Sequence, residues 1–323
     1  QLGALIADFA GLRGVEAFAI EAGDASGAAA LRAGYLAVAS GIVESAVVLG
    51  VEKGTDAIAG ARVQGRAISL DADFEAIHGA TLPAMAALLM RRYMHEHGVQ
   101  MTDFEGFSIN AHANGKRNPL AMFRNTVKPG AFGKAPMVAD PVNLFDGAPD
   151  GDGAAAVVLV AAEHAPDIVS KPIKIIGSAA ATDTLALHSR KDMLYLNAVA
   201  QSTQKALDQA GVSRDDVSFF ELHDGFTILS ALALEAAGFA ERGKGWQLAQ
   251  DDIDLAGRLP ISTFGGLKSR GNPIGATGVY QAVEAALQLR GEAGENQVND
   301  ASVALIQNLG GLASTAITHI LSR

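Results

Sequence analysis

Four glycine-bearing loops hold the side chains best suited to chemistry: Asp24 in Gly23-Asp24-Ala25-Ser26-Gly27-Ala28, His223 in Leu222-His223-Asp224-Gly225-Phe226, Asn272 in Gly271-Asn272-Pro273-Ile274-Gly275-Ala276, and Asn308 in the run to Gly311. Asp24 lies between an apolar run (Val15 to Ile20) and a helical pattern rich in small residues (Gly27 to Ser40). A side chain there meets the unpaired N–H groups and positive dipole end of a helix, which favour negative charge and lower a carboxylate's basicity. The duller role for Asp24 is an N-cap, and for Asn272, ahead of Pro273, a turn former. His223 alone reads as a backbone-bonded histidine, and Asn308 equally as a backbone-bonding residue. The chain holds no cysteine, so thiolate nucleophiles, disulfides and cysteine metal sites are excluded.

These loops need elements to hold them. The G-[D/N]-x-x-G-A pattern occurs at both Gly23 and Gly271, each time before a small-residue helix (Gly27 to Ser40, Thr277 to Leu289) and then a strand (Ser45 to Val51, Ser302 to Ile306). Matching order and spacing predict a duplicated α/β fold whose two helix starts face one cleft. Continuous apolar strands fit sheets covered on both faces. Further strands are expected at Val15–Ile20, Ala154–Ala161, Ile173–Ala179 and Val217–Leu222. Helices are expected at Leu2–Leu12, Ala80–Glu96, Thr102–Asn114 (Thr102 as N-cap, Glu105 closing a capping box), Leu194–Ala210 and Thr227–Ala237. Residues 1–164 read as an N-terminal half with an insertion at about 54–135, and 165–323 as a C-terminal half, divided at the proline-bracketed stretch from Ala165 to Pro172. The aspartates between Asp146 and Gly153 lack the spacing and closing glutamate of an EF-hand, so turn chemistry is expected there.

Bulk properties narrow the function. With 323 residues, 49% hydrophobic content and a net charge of −10, the chain can bury a large core and is ill suited to nucleic acid or an anionic membrane surface. No uninterrupted apolar run is long enough for a membrane-spanning helix, and no signal peptide is evident. His95 and His97 flank Glu96 without metalloprotease spacing, and there is neither a Walker motif nor a G-x-G-x-x-G fingerprint. No metal or permanently bound cofactor is expected. The chain starts at Gln1, directly in helical pattern, and reads as part of a longer polypeptide.

Longer motifs carry a family resemblance. Ile20-Glu21-Ala22-Gly23-Asp24-Ala25-Ser26-Gly27 resembles the V-E-A-x-C-x-S-G loop of the thiolase superfamily, and within it the sterol-carrier-protein and archaeal types. Leu222 to Phe226 resembles that family's H-D-C-F loop, and the run from Gly265 to Gly278 resembles G-G-L-x-x-x-G-H-P-x-G-A-T-G. Asn110-Ala111-His112, Asn118-Pro119 and Asp152-Gly153-Ala154-Ala155 also fit, although for His112 packing is the safer role. The resemblance spans the chain and lacks the family's first strand–helix units. It implies a duplicated α-β-α-β-α sandwich, a homodimer or tetramer, a cytoplasmic location and a place in lipid metabolism. The activity it implies is acetyl-CoA acetyltransferase-like chemistry, with an acyl-CoA thioester as substrate.

The departures matter as much. Asp24 stands where the family has its nucleophilic cysteine, Gly225 replaces the cysteine of H-D-C-F, and Asn272 replaces the histidine of G-H-P; His223 alone matches. A carboxylate is a poor acyl acceptor, so ordinary cysteine-dependent thiolysis is not expected. His223 with Asn272 matches the pair with which related ketoacyl synthases hold a thioester oxygen and stabilise an enolate. The expected catalytic set is therefore Asp24, His223 and Asn272. Lys268 and Arg270, with Ser262 and Gly310, are expected to bind CoA, and Lys116 and Arg117 are further phosphate candidates. Two alternatives stand beside this reading: an aldolase or lyase working with a zinc-ribbon/OB-fold partner protein, and a catalytically silent acyl-CoA-binding subunit.

Overall fold

The computed structural model describes residues 1–323, the side chain of Asp251 excepted. The chain opens with α1 (Leu2–Phe9), α2 (Ser26–Ala39) and β1 (Ser45–Glu52), then α3 (Ala59–Arg66), α4 (Leu82–His97) and α5 (Glu105–Arg117). A short ribbon, β2 (Met137–Ala139) and β3 (Val142–Asn143), precedes β4 (Gly153–Val160) and the single turn α6 (Ala165–Ile168). Then follow β5 (Lys174–Thr182), α7 (Asn197–Ala210), β6 (Phe219–Glu221), α8 (Thr227–Ala236), the short α9 (Leu248–Asp251), α10 (Thr277–Arg290), β7 (Val303–Gly310) and β8 (Thr315–Ser322).

Two sheets result. β1 pairs antiparallel with β4, Ser45 opposite Val160 and Glu52 opposite Gly153. The other sheet runs β5-β8-β7-β6, with β6 and β7 parallel and the remaining pairs antiparallel. α2 and α10 lie between the sheets, and α7 covers the far face of β5 and β8. The expected repeat is visible here: α2 leads into β1, which pairs antiparallel with β4, as α10 leads into β7, which pairs antiparallel with β8.

Small residues make this central layer possible. A Cβ added at Gly27 would stand 2.8 Å from the Gly275 carbonyl oxygen, and one at Gly278 would stand 2.2 Å from the Ala28 nitrogen. The two helix starts therefore touch through glycine, backbone against backbone. Leu31, Val48, Val279, Ala282, Ala304 and Ile306 fill the space between the sheets, while α4, α7 and α8 build a larger core on the other side of the four-stranded sheet.

The structure corrects two local expectations. Val15–Ile20 forms no strand; the stretch runs past α1, with the backbone of Phe18 2.8 Å from where a Gly3 Cβ would lie, and Phe18 is 71% exposed. Apolar content alone does not supply the hydrogen-bonding neighbour that a strand needs. The helix near residue 102 starts differently as well. A 3₁₀ turn (Met101–Phe104) is closed by a capping box between Gln100 and Asp103, and α5 then runs on from Glu105, whose carboxylate accepts from Gly130 N–H at 3.1 Å. Among the described residues no helix is long and apolar enough to cross a membrane.

Candidate active site

Asp24 is presented by a tight turn. Gly23 takes φ +59°, a region favouring glycine, and the Ser26 hydroxyl ties the turn together by donating to the Gly23 carbonyl (2.6 Å) and accepting from Ala22 N–H (2.9 Å). The N-cap alternative for Asp24 does not hold: Ala25 occupies the cap position of α2, and no side chain caps the helix. The carboxylate, only 4% exposed, turns the other way, and its Oδ2 accepts from Arg66 Nη2 at 2.8 Å. Burial pushes the Asp24 carboxyl above its ordinary range, against the pull of the Arg66 charge and hydrogen bond.

His223 follows β6 and reaches the same place. Its Nε2 lies 4.0 Å from Asp24 Oδ2. Its Nδ1 pairs with Asn308 Nδ2 at 2.9 Å, and since a carboxamide nitrogen donates, the ring proton belongs on Nε2, facing Asp24. Burial, set against the charge of Asp224, lowers the His223 pKa to about 4, so the ring is neutral at physiological pH. Glycine at 225 leaves Nε2 open: a Cβ there would stand 3.2 Å from it.

Asn272 precedes α10 by a short 3₁₀ turn. Its Oδ1 accepts from the Thr277 hydroxyl (2.9 Å), and its Nδ2 makes no hydrogen bond among the described residues. The aspartate-rich loop ties Asn272 to the other two loops. Ala148 N–H donates to the Gly225 carbonyl (2.9 Å), Asn272 N–H to the Pro149 carbonyl (2.9 Å), and Gly151 N–H to the Asn272 carbonyl (3.0 Å). Asp150 then grips Arg66, whose other arm holds Asp24. The loop does more than turn. Asp146 accepts from Thr227 and from Asn143 N–H, Asp150 holds the site arginine, and Asp152 accepts from Thr55.

Arg66 is the residue that sequence reasoning missed. It ends α3, a helix with no buried residue, inside a polar stretch that carries no motif. The one available signal was indirect: a carboxylate placed in a core demands a cation, without saying which.

A cavity of about 890 Å³ opens beside this cluster. Arg66, Asp150, Lys268, His112 and Phe226 share its walls with apolar side chains such as Leu70, Leu82 and Phe145. Asp24, His223 and Asn272 are not on its wall; Arg66 stands between the cavity and Asp24. Of the residues expected to bind CoA, Lys268 lies on this wall, where its ammonium donates to the Asp146 carbonyl. Burial lowers the Lys268 pKa to about 8. The others lie elsewhere. Arg270 is buried against Glu284 (2.7 Å) and the face of Tyr280 (4.9 Å), which commits its charge internally. Ser262 is buried at φ +48° with an unpaired hydroxyl, and Gly310 gives room to the Ala22 carbonyl, 2.8 Å from its would-be Cβ. Lys116 and Arg117 are exposed at the end of α5.

Comparisons with known proteins agree with the motifs. Residues 179–323 match the family described as thiolase C-terminal domain-like. The chain is 40% identical over 324 residues to an acetyl-CoA acetyltransferase of Methanothermobacter thermautotrophicus, covering all of this chain and 84% of that protein. It is 28% identical to human sterol carrier protein 2, over 93% of this chain and 57% of that one. Among solved structures, an Ltp2–ChsH2 aldolase superposes with a TM-score of 0.86 at 25% identity, over 98% of this chain and 82% of its own.

Proposed function

The chain belongs to the thiolase superfamily, and on that premise we propose that it works on acyl-CoA thioesters by stabilising an enolate, with no covalent acyl-enzyme. The observation that carries this reading is the placement of His223 Nε2 at 4.0 Å from Asp24 Oδ2, where the family motif has a cysteine. The reaction best suited to these groups is retro-aldol cleavage of a β-hydroxyacyl-CoA. Asp24, made more basic by burial, takes the hydroxyl proton, and the alkoxide electrons form a carbonyl as the Cα–Cβ bond breaks. The bonding pair passes to the thioester oxygen, which accepts hydrogen bonds from His223 Nε2–H and Asn272 Nδ2–H. A proton returned to Cα completes a shortened acyl-CoA. Arg66 must loosen its hold on Asp24 for this to happen; it ends α3, a helix with no fully buried residue. CoA phosphates would lie toward exposed Lys128 at the cavity rim.

The similar aldolase structure carries two names, Ltp2 and ChsH2, which supports a second protein as partner here; a homodimer or tetramer is the assembly to test by sedimentation. The Arg66–Asp24 pair also favours a second reading, an acyl-CoA-binding subunit whose carboxylate is held idle.

The deciding assay follows cleavage of β-hydroxyacyl- and β-ketoacyl-CoA by the wild type, Asp24→Ala and His223→Ala. Loss of about a hundredfold or more in each variant is expected. Equal inactivity of all three proteins, with CoA esters still bound, replaces the enzyme by the silent subunit. Asp24→Cys provides a companion test. Mass spectrometry should find an acyl adduct on that variant after exposure to acyl-CoA, and none on the wild type.

A further inference from the structure

The cavity wall carries two polar groups that the proposed reaction leaves unused. Lys268, 2% exposed, is one of the largest buried side chains of the molecule. Its ammonium has three donors and makes a single hydrogen bond, to the Asp146 carbonyl; no carboxylate lies within salt-bridge distance of it among the described residues. His112, 8% exposed, is fixed by Asn125, whose carbonyl accepts from Nδ1–H at 3.1 Å. That bond leaves Nε2 as a lone-pair acceptor with no partner. The ring is wedged between Phe123, stacked at 5.9 Å, and Phe145, edge-on at 6.1 Å, so it cannot turn away freely. Burial lowers the His112 pKa and the Lys268 charge lowers it further, which keeps the ring neutral.

An unused donor and an unused acceptor thus line one cavity, alongside apolar side chains such as Leu70, Leu82 and Phe145. We infer that Lys268 and His112 form a subsite that reads a hydroxyl group on the acyl part of the substrate. This rests on the acyl-CoA reading above. A hydroxyl oxygen accepts from the ammonium while its hydrogen goes to Nε2, and both needs are met together. A methylene meets neither, and a carbonyl meets only the first. A carboxylate satisfies the ammonium and sets a second lone pair against Nε2. Sites built to pair with a substrate hydroxyl reject analogues that lack it, because the buried partners are then left unpaired. The cavity volume, about 890 Å³, leaves room for a sizeable chain around that contact.

The test is calorimetric binding of octanoyl-CoA and of its monohydroxylated isomers, with the hydroxyl on successive carbons beyond the β-carbon, where retro-aldol cleavage cannot occur. At least one isomer should bind about tenfold tighter than octanoyl-CoA, the scale of a hydrogen bond to a charged group. Lys268→Met and His112→Phe should each erase that preference, bringing every hydroxylated ester to within about twofold of octanoyl-CoA on the same variant. Should Lys268→Met fail to fold, His112→Phe, which keeps an aromatic ring between Phe123 and Phe145, carries the test alone. Equal wild-type affinity for every ester overturns the subsite. So does a variant that weakens all esters alike, which would make these side chains packing elements. Turnover is read separately, on β-hydroxyoctanoyl-CoA: preference without cleavage of that ester supports the subsite and removes the proposed reaction, and cleavage without preference does the reverse.

Discussion

The two copies of the loop–helix–strand repeat meet at their helix starts and differ in almost everything around them. The first loop offers a carboxylate held by an arginine from a distant helix; the second offers an amide held by the next turn of its own helix. The first repeat feeds a two-stranded sheet whose outer face is bare, with Val47 63% and Val158 65% exposed directly opposite one another. The second feeds a four-stranded sheet in which β7 and β8 are buried nearly end to end. One local pattern can thus be folded into a supporting frame and into a reactive edge. The shared part is the close glycine contact; the divergent part is what each loop's polar residue is paired with.

The largest effect should come from the shared part. Gly278→Val places a branched side chain where even a Cβ would sit 2.2 Å from backbone nitrogen of α2. Neither helix can yield without moving both sheets, and overpacking of this kind costs about 3 kcal/mol or more. Soluble folded protein should be absent or severely depleted. An unchanged melting temperature would mean that the two helix starts are not in contact. Next come the sheets. Ile320→Ala in β8, at a position with no exposure, should cost about 2–4 kcal/mol, whereas Val158→Ala should stay within about 0.5 kcal/mol by urea denaturation. Equal costs would show that the bare face is covered in solution.

Much of this frame was legible because it depends on local pattern. The run from Gly265 to Gly278 predicted a loop and a helix start, and the recurring Gly23 and Gly271 motifs predicted the duplication. What was not legible depends on distant partners. Val15–Ile20 has strand composition but no neighbouring strand. Arg270 looked like a phosphate ligand, since nothing in its own loop shows that Glu284 from the following helix takes its charge. Arg66 and Asp150, far apart in sequence, become a clamp only once three loops converge. Asp24, His223 and Asn272 could be nominated by motif; their hydrogen-bond partners could not.

The third prediction concerns pH. The His223 pKa falls to about 4 in the folded protein, below the usual 6.5. Between those values the unfolded chain binds the proton and the native one does not. Stability therefore rises with pH across that window and is lost as pH falls through it. The loss amounts to about 3 kcal/mol between the two pKa values. His223→Gln should reduce the difference in unfolding free energy between about pH 6.5 and 4 by about that amount. His319, whose pKa is also about 4 and whose Nε2 donates to the Ala28 carbonyl at 3.2 Å, contributes a slope of its own and must be left in place.

The smallest effect on stability should be the most informative about the first loop. Arg66→Met removes the cation from a carboxylate that is 4% exposed, but the arginine side chain is itself 21% exposed and water can partly replace it. The full penalty for breaking a buried pair is thereby reduced to about 1–2 kcal/mol at neutral pH. Asp24 already has a raised pKa, so its native form holds the proton more tightly than the unfolded chain does, and stability falls as pH rises above the unfolded value of 3.8. Without Arg66 that fall should steepen, and the Arg66→Met deficit should shrink on acidification. In an Asp24→Asn background the same substitution should cost only the partly exposed pair with Asp150, about 0.5 kcal/mol, because a neutral amide needs no counter-charge. A deficit that is independent of pH and persists undiminished beside Asn at position 24 would make Arg66 a packing residue of α3. The contrast between the two loops would then lie in their sequences alone, not in the charge that the fold brings to one of them.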